Sequence, residues 1–151
     1  MIKLYTLIAT VPLFFLGCTK NDMKYSVGQE WKYKTRPMEE KSTLKILKIE
    51  EYPATGKVIH ISVSGLKMKN PSSPTGFSEN LSHIPISEEA LNKSVTKLQN
   101  DTRKIPDSLE TDGYSYWKKE FDKGDAGIFA IPLSEIVDSM ENAIISGNFN
   151  K

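Results

Sequence analysis

The chain has 151 residues, with 20 Lys and Arg against 19 Asp and Glu, two His and a single Cys. A formal net charge of +1 argues against general affinity for nucleic acid or anionic lipid surfaces, which needs a surplus of basic residues. One thiol excludes an internal disulfide, and two histidines without a spare cysteine leave little for a structural zinc site, so neither metal nor cofactor is expected.

The N-terminus is the most informative stretch. Lys3 supplies a short positive segment, and an apolar run from Leu4 to Leu16 follows, ending in Gly17 and Cys18. This is the layout of a secretory signal peptide, and the run is too short to span a bilayer comfortably as a helix. It contains only Tyr5, Thr6 and Thr10 as polar-capable residues and no charge, so an amphipathic N-terminal helix is a poor alternative. Phe15-Leu16-Gly17-Cys18 resembles the lipobox of bacterial lipoproteins, with Phe15 at a position where Leu is commonest. The resemblance implies that the Cys18 thiol receives a diacylglyceryl group, that residues 1–17 are removed, and that the new α-amine is acylated. Thr19 follows the cysteine where Asp would imply retention in the inner membrane, so the resemblance implies an outer-membrane lipoprotein on the periplasmic face, attached to the membrane through its lipid. Residues 18–24 read as lipidated cysteine and tether, with a reach of about 20 Å when stretched. Lys3 is the only charge lost with the signal, which leaves acidic and basic residues in balance.

Residues 25–151 are expected to form a single domain, long enough to bury a core without staples. From Gln29 to Lys69 the apolar period is two. Trp31 and Tyr33 alternate with charged residues. Leu44 and Ile46 alternate before Leu47 and Ile49 shift the phase. Ile59, Ile61 and Val63 oppose His60, Ser62 and Ser64, and Gly65 marks a second phase change ahead of Leu66 and Met68. A glycine at such a change predicts a bulge or sharp bend. Short breaks at Arg36–Glu39 and Pro53–Gly56 predict an antiparallel meander with one apolar and one open polar face.

Asn70 to Ser87 carries two prolines and a glycine before Phe77 and is expected to be irregular, with a short strand around Leu81–Ile86. Ser87 caps a helix with Glu88 and Glu89 in its first turn and a stripe of Leu91, Val95 and Leu98. A second helix is expected from about Gly113 to Lys123, with Tyr114, Trp117 and Phe121 on one face, stopped by Gly124–Gly127. Ile128–Ile131 could add a strand. Pro132 opens a last helix whose stripe is Ile136, Val137, Met140 and Ile144, ended by Gly147. The fold class expected is α+β, an antiparallel β-meander with about three helices packed on one face.

The catalytic inventory is thin. A hydrolytic triad needs a nucleophile, a histidine and a carboxylate converging in space, and no Gly-x-Ser-x-Gly elbow is present. His60 on the polar strand face is expected to be a surface histidine. His83, in an irregular segment, is the better candidate. The doublets Glu39-Glu40 and Glu50-Glu51 flank turns and read as solvated charge, and Glu88-Glu89 as helix-start charge. Ser108–Gly113 is similar to a calcium loop, but Lys119 stands where the closing Glu is needed. Most aromatics fall on core stripes, while Phe77 and Tyr116 do not, and exposed aromatics mark contact surfaces. For Phe77 the competing expectation is that it folds back to pin its own loop.

Tyr25–Pro37 and Ser87–Leu98 resemble small bacterial proteins without an assigned activity, and that resemblance implies no mechanism. The expectation is a non-enzymatic binding or protective lipoprotein, of immunity or inhibitor type, acting on a protein partner through Phe77, His83 and Tyr116. The alternative is an envelope hydrolase acting on peptidoglycan or lipid, using His83 with a carboxylate.

Overall fold

The alternating first half of the chain forms strands. In the computed structural model, which describes residues 24–101 and 108–147 with side chains from residue 112 in the second stretch, β1 (Gln29–Tyr33), β2 (Thr43–Tyr52), β3 (Gly56–Lys69) and β4 (Phe77–Ser87) make an antiparallel meander. A fifth strand, β5 (Val95–Asp101), returns to pair antiparallel with β1, giving the order β4-β3-β2-β1-β5. The expected signal segment, Cys18 and Thr19 lie outside the described residues.

Both phase changes in the apolar pattern are irregularities of the sheet. Pairing passes from Ile46 opposite Ile61 to Lys48 opposite His60, so Leu47 is an extra residue in β2. The bulge keeps Leu44, Ile46 and Ile49 on one face and carries Lys48 and Glu50 to the face of His60. Gly65 has φ +77°, and a Cβ there would come within 3.2 Å of the Ser42 backbone. Only glycine takes that bend at low cost, and Leu66 and Met68 thereby reach the core.

That core joins Leu44, Ile46, Ile59, Ile61, Ile84 and Ile86 of the sheet to two helices, α1 (Glu88–Ser94) and α3 (Leu133–Ser146). Ser87 caps α1 as expected, its Oγ accepting the Ala90 N–H at 3.2 Å. Ser94 Oγ donates to the Ala90 carbonyl at 2.7 Å and accepts the Leu133 N–H at 2.9 Å, which ties the end of α1 to the start of α3. In α3, Leu133, Ile136 and Val137 are buried, Met140 and Ile144 pack at the margin, and Gly147 closes the helix.

Four expectations need correction. The first helix stops at Ser94, and Val95 and Leu98 belong to β5, opposite Tyr33 and Trp31. An i, i+4, i+7 stripe is local, whereas the backbone groups of β1 left unpaired by β2 draw this segment into the sheet. The strand expected at Leu81–Ile86 begins at Phe77, so the irregular part is confined to the preceding turn. Ile128–Ile131 forms only an isolated parallel bridge, Phe129 to Ile86. The largest change concerns the polar face. The third helix, α2 (Ser108–Lys123), lies against the side of the sheet that carries His60, so α1 and α3 share the apolar face and α2 covers the other. His60 is therefore 0% exposed rather than on the surface. Aromatic side chains of α2 need a partner surface, and a face bearing a neutral imidazole provides one. No described helix is long and apolar enough to cross a membrane.

Candidate functional site

Two arrangements stand out, on different sides of the sheet. The first is a groove of about 620 Å³ between the β1–β2 turn, the β3–β4 end of the sheet and α3. Buried Leu66 lies at its base, Pro37, Met38 and Phe77 form its apolar walls, and Asp138 and Glu141 come from α3. Its size is that of a ligand or anchor-residue site. Met38 is 69% exposed and Phe77 46% exposed, so two large apolar side chains stand in water at its mouth.

The wall carrying Met38 is held rigidly. Arg36 Nη2 and Nε donate to the two carboxylate oxygens of Glu39 at 2.6 and 3.0 Å, and Nη1 donates to Glu141 at 2.8 Å and Asp138 at 3.0 Å. Glu39 also accepts the Lys67 N–H at 2.7 Å. The turn is thus fastened to α3 and to β3. Burial works against ionisation of Glu39, but Arg36 and the Lys67 N–H outweigh it and hold the carboxyl below its usual range. Glu39 is 2% exposed, which corrects the reading of Glu39-Glu40 as solvated charge. Between these anchors Met38 adopts φ 70°, a left-handed conformation that costs a non-glycine residue of order 1–3 kcal/mol. A strained backbone that presents an apolar side chain to solvent is a mark of a contact surface rather than of packing.

The second arrangement is a buried polar cluster under α2. Glu50 accepts from His60 Nε2 at 3.1 Å, from Tyr114 at 3.0 Å and from Tyr52 at 3.0 Å. His60 Nδ1 and His83 Nε2 are 2.9 Å apart. A carboxylate only accepts, so Nε2 of His60 carries its proton, its Nδ1 is the acceptor, and His83 Nε2 donates. Burial, against the pull of Glu50, pushes His60 down to about 4. Burial and then the neighbouring His60 push His83 down to about 4. Burial raises Glu50, but hydrogen bonds from Lys48, Tyr114 and Tyr52 outweigh it and keep the carboxyl below its usual range. Both rings are therefore neutral and Glu50 is ionised near neutral pH. Trp117 and Tyr114 meet the His60 ring edge-on at 4.8 and 5.0 Å, and the two imidazoles stack at 5.1 Å.

The three residues expected to form a contact surface are not brought together. Phe77 lines the groove, His83 lies beneath α2, and Tyr116 is 74% exposed on the outer side of α2. Among the described residues His83 reaches a carboxylate only through His60, and neither the 620 Å³ groove nor a smaller hydroxyl-rich one at Ser62, Ser64 and Ser82 is lined by either histidine. Among the described residues no buried side-chain polar atom lacks a partner, and no group of three His, Cys, Asp or Glu side chains is placed to hold a metal ion. Arg36, Met38 and Glu39 are the participants that sequence reasoning missed, because a charged turn looks the same whether it is solvated or clamped. Comparison of the chain with protein-family models, curated proteins and solved structures finds no match.

Proposed function

We propose that this chain is a lipid-anchored protein of the periplasmic side of the envelope, which binds a protein partner through the groove bounded by Met38 and Phe77 and acts as an inhibitor-type or immunity-type protein rather than as an enzyme. The signal segment and Cys18 support the location. The groove carries the function: an apolar trough walled by two solvent-facing side chains, one on a clamped and strained turn, has the form of a pocket for an anchor residue. Burying one such side chain against a partner contributes about 1.5–3 kcal/mol. The hydrolase alternative is less well supported, because Glu50 and His60 bond to each other and to further side chains beneath α2, and neither histidine lines either of the two grooves.

The test is affinity purification of the membrane-extracted protein beside the Met38→Ser, Phe77→Ser double variant, followed by titration with each purified candidate partner. A partner retained by the wild type should bind the double variant at least about tenfold more weakly, since one anchor side chain contributes that much. Equal binding by both chains sinks the reading.

A further inference from the structure

The helix α2 is attached to the protein through chemistry unlike that of the rest of the fold. No described side chain of α2 belongs to the apolar core that joins the sheet to α1 and α3, and among them only Trp117 is buried. What docks it is the cluster on the opposite face. Trp117 and Tyr114 rest on His60, Phe121 meets Tyr52 at 5.1 Å, and Tyr114 bonds Glu50 and Lys48. The backbone of Gly113 lies so close to His83 that a Cβ there would be 2.6 Å from the His83 Cβ. A helix held this way can open as a unit without disturbing the core on the other side.

The docking surface contains two imidazoles whose mutual hydrogen bond uses one proton. With both rings neutral, His83 Nε2–H donates to His60 Nδ1, and His60 Nε2–H donates to Glu50. A first proton can be accommodated, because His60 then donates from both nitrogens and His83 shifts its own proton to Nδ1. A second proton cannot. It sets two N–H groups and two positive charges against each other across 2.9 Å, in a space closed to water at His60. The other charged and titratable groups facing the pair are Glu50, Lys48 and Tyr52 from β2 and Tyr114 from α2, with Lys118 over the Tyr52 ring. Glu50 can compensate one cation, but Lys48 already shares it at 3.1 Å.

We propose that α2 is an acid-released latch: protonation of the His60–His83 pair detaches α2 from the sheet while the core built with α1 and α3 stays folded. Release uncovers His60, His83 and the sheet face beneath them.

Hydrogen exchange on the full chain, corrected for the intrinsic pH dependence of exchange, tests this between pH 7.5 and pH 5. Amides of residues 114–123 should lose protection by about tenfold or more, the size expected when histidines held neutral must charge, while those of residues 59–63 keep theirs. His83→Gln retains a donor toward His60 Nδ1 and removes one titrating ring, so its loss over the same interval should be at least about threefold smaller. Gly113→Ala, which wedges the helix off against His83 while leaving both imidazoles in the chain, should already show low protection of α2 at pH 7.5, with β3 intact. Unchanged protection of α2 at pH 5, loss of α2 and β3 in step, a wild-type pH profile in His83→Gln, or wild-type protection in Gly113→Ala would each overturn the latch.

Discussion

Arg36 and Glu39, three residues apart in a surface turn, form a two-point ion pair at 2.6 and 3.0 Å in which the carboxylate is buried. A surface pair of this spacing contributes little. Here the pair ties the β1–β2 turn to β3 and α3 and fixes the wall of the groove, with Asp138 and Glu141 of α3 as further acceptors.

Arg36→Ala leaves Glu39 desolvated with only the Lys67 N–H as partner. Removing one member of a buried pair costs about 3–5 kcal/mol. Urea denaturation should show that loss, and Met38, freed from the clamp, should lose its left-handed conformation in the NMR spectrum. A loss under about 1 kcal/mol would mean that the pair behaves as an exposed one.

The two histidines should titrate far below their unfolded value of about 6.5, since burial drives both to about 4. Between those values the unfolded segment binds more protons than the folded one, so stability rises with pH there. The contribution is complete above about 6.5 and is lost as pH falls toward 4, by up to about 1.4 kcal/mol per pH unit for each ring. Ring-proton NMR from pH 8 to pH 4 measures both. A ring titrating at 6.5 or higher contradicts its burial under α2.

His60→Ala and Trp117→Ala should cost similar amounts, about 2–4 kcal/mol each, because each removes one side of the same contact between α2 and the sheet. The double variant should cost clearly less than the two together, as residues in direct contact do. A double-mutant cycle followed by circular dichroism decides it. Strict additivity would show that the two side chains are stabilised independently.

Cys18→Ala should abolish incorporation of labelled fatty acid, since the chain has no other thiol. The wild type should fractionate with outer-membrane markers, as Thr19 rather than Asp follows the cysteine, and the several acyl chains of the proposed lipoprotein would anchor it stably. Label retained on the variant, or wild type found with inner-membrane markers, contradicts the proposed location.

Sequence by itself determined most of the local structure. The meander, the bulge near Leu47, the bend at Gly65, the Ser87 cap and the last helix all follow from period, capping and turn chemistry, which act over a few residues. Phe77 was also legible as an apolar side chain that fits no stripe. Tertiary structure alone decided three things. Val95–Asp101 became a strand because β1 needed a second neighbour, a demand made by residues 62 to 72 positions away rather than by its own sequence. Glu39 became buried because Arg36, Lys67 and α3 converge on it, although its neighbour Glu40 is a solvated carboxylate in the same turn. His60 and His83 became one hydrogen-bonded pair because neighbouring strands place them side by side and α2 covers them. Patterning records which side of a strand a residue faces. What eventually packs on that side depends on distant chain, and that choice turned a polar face into a closed, titratable one.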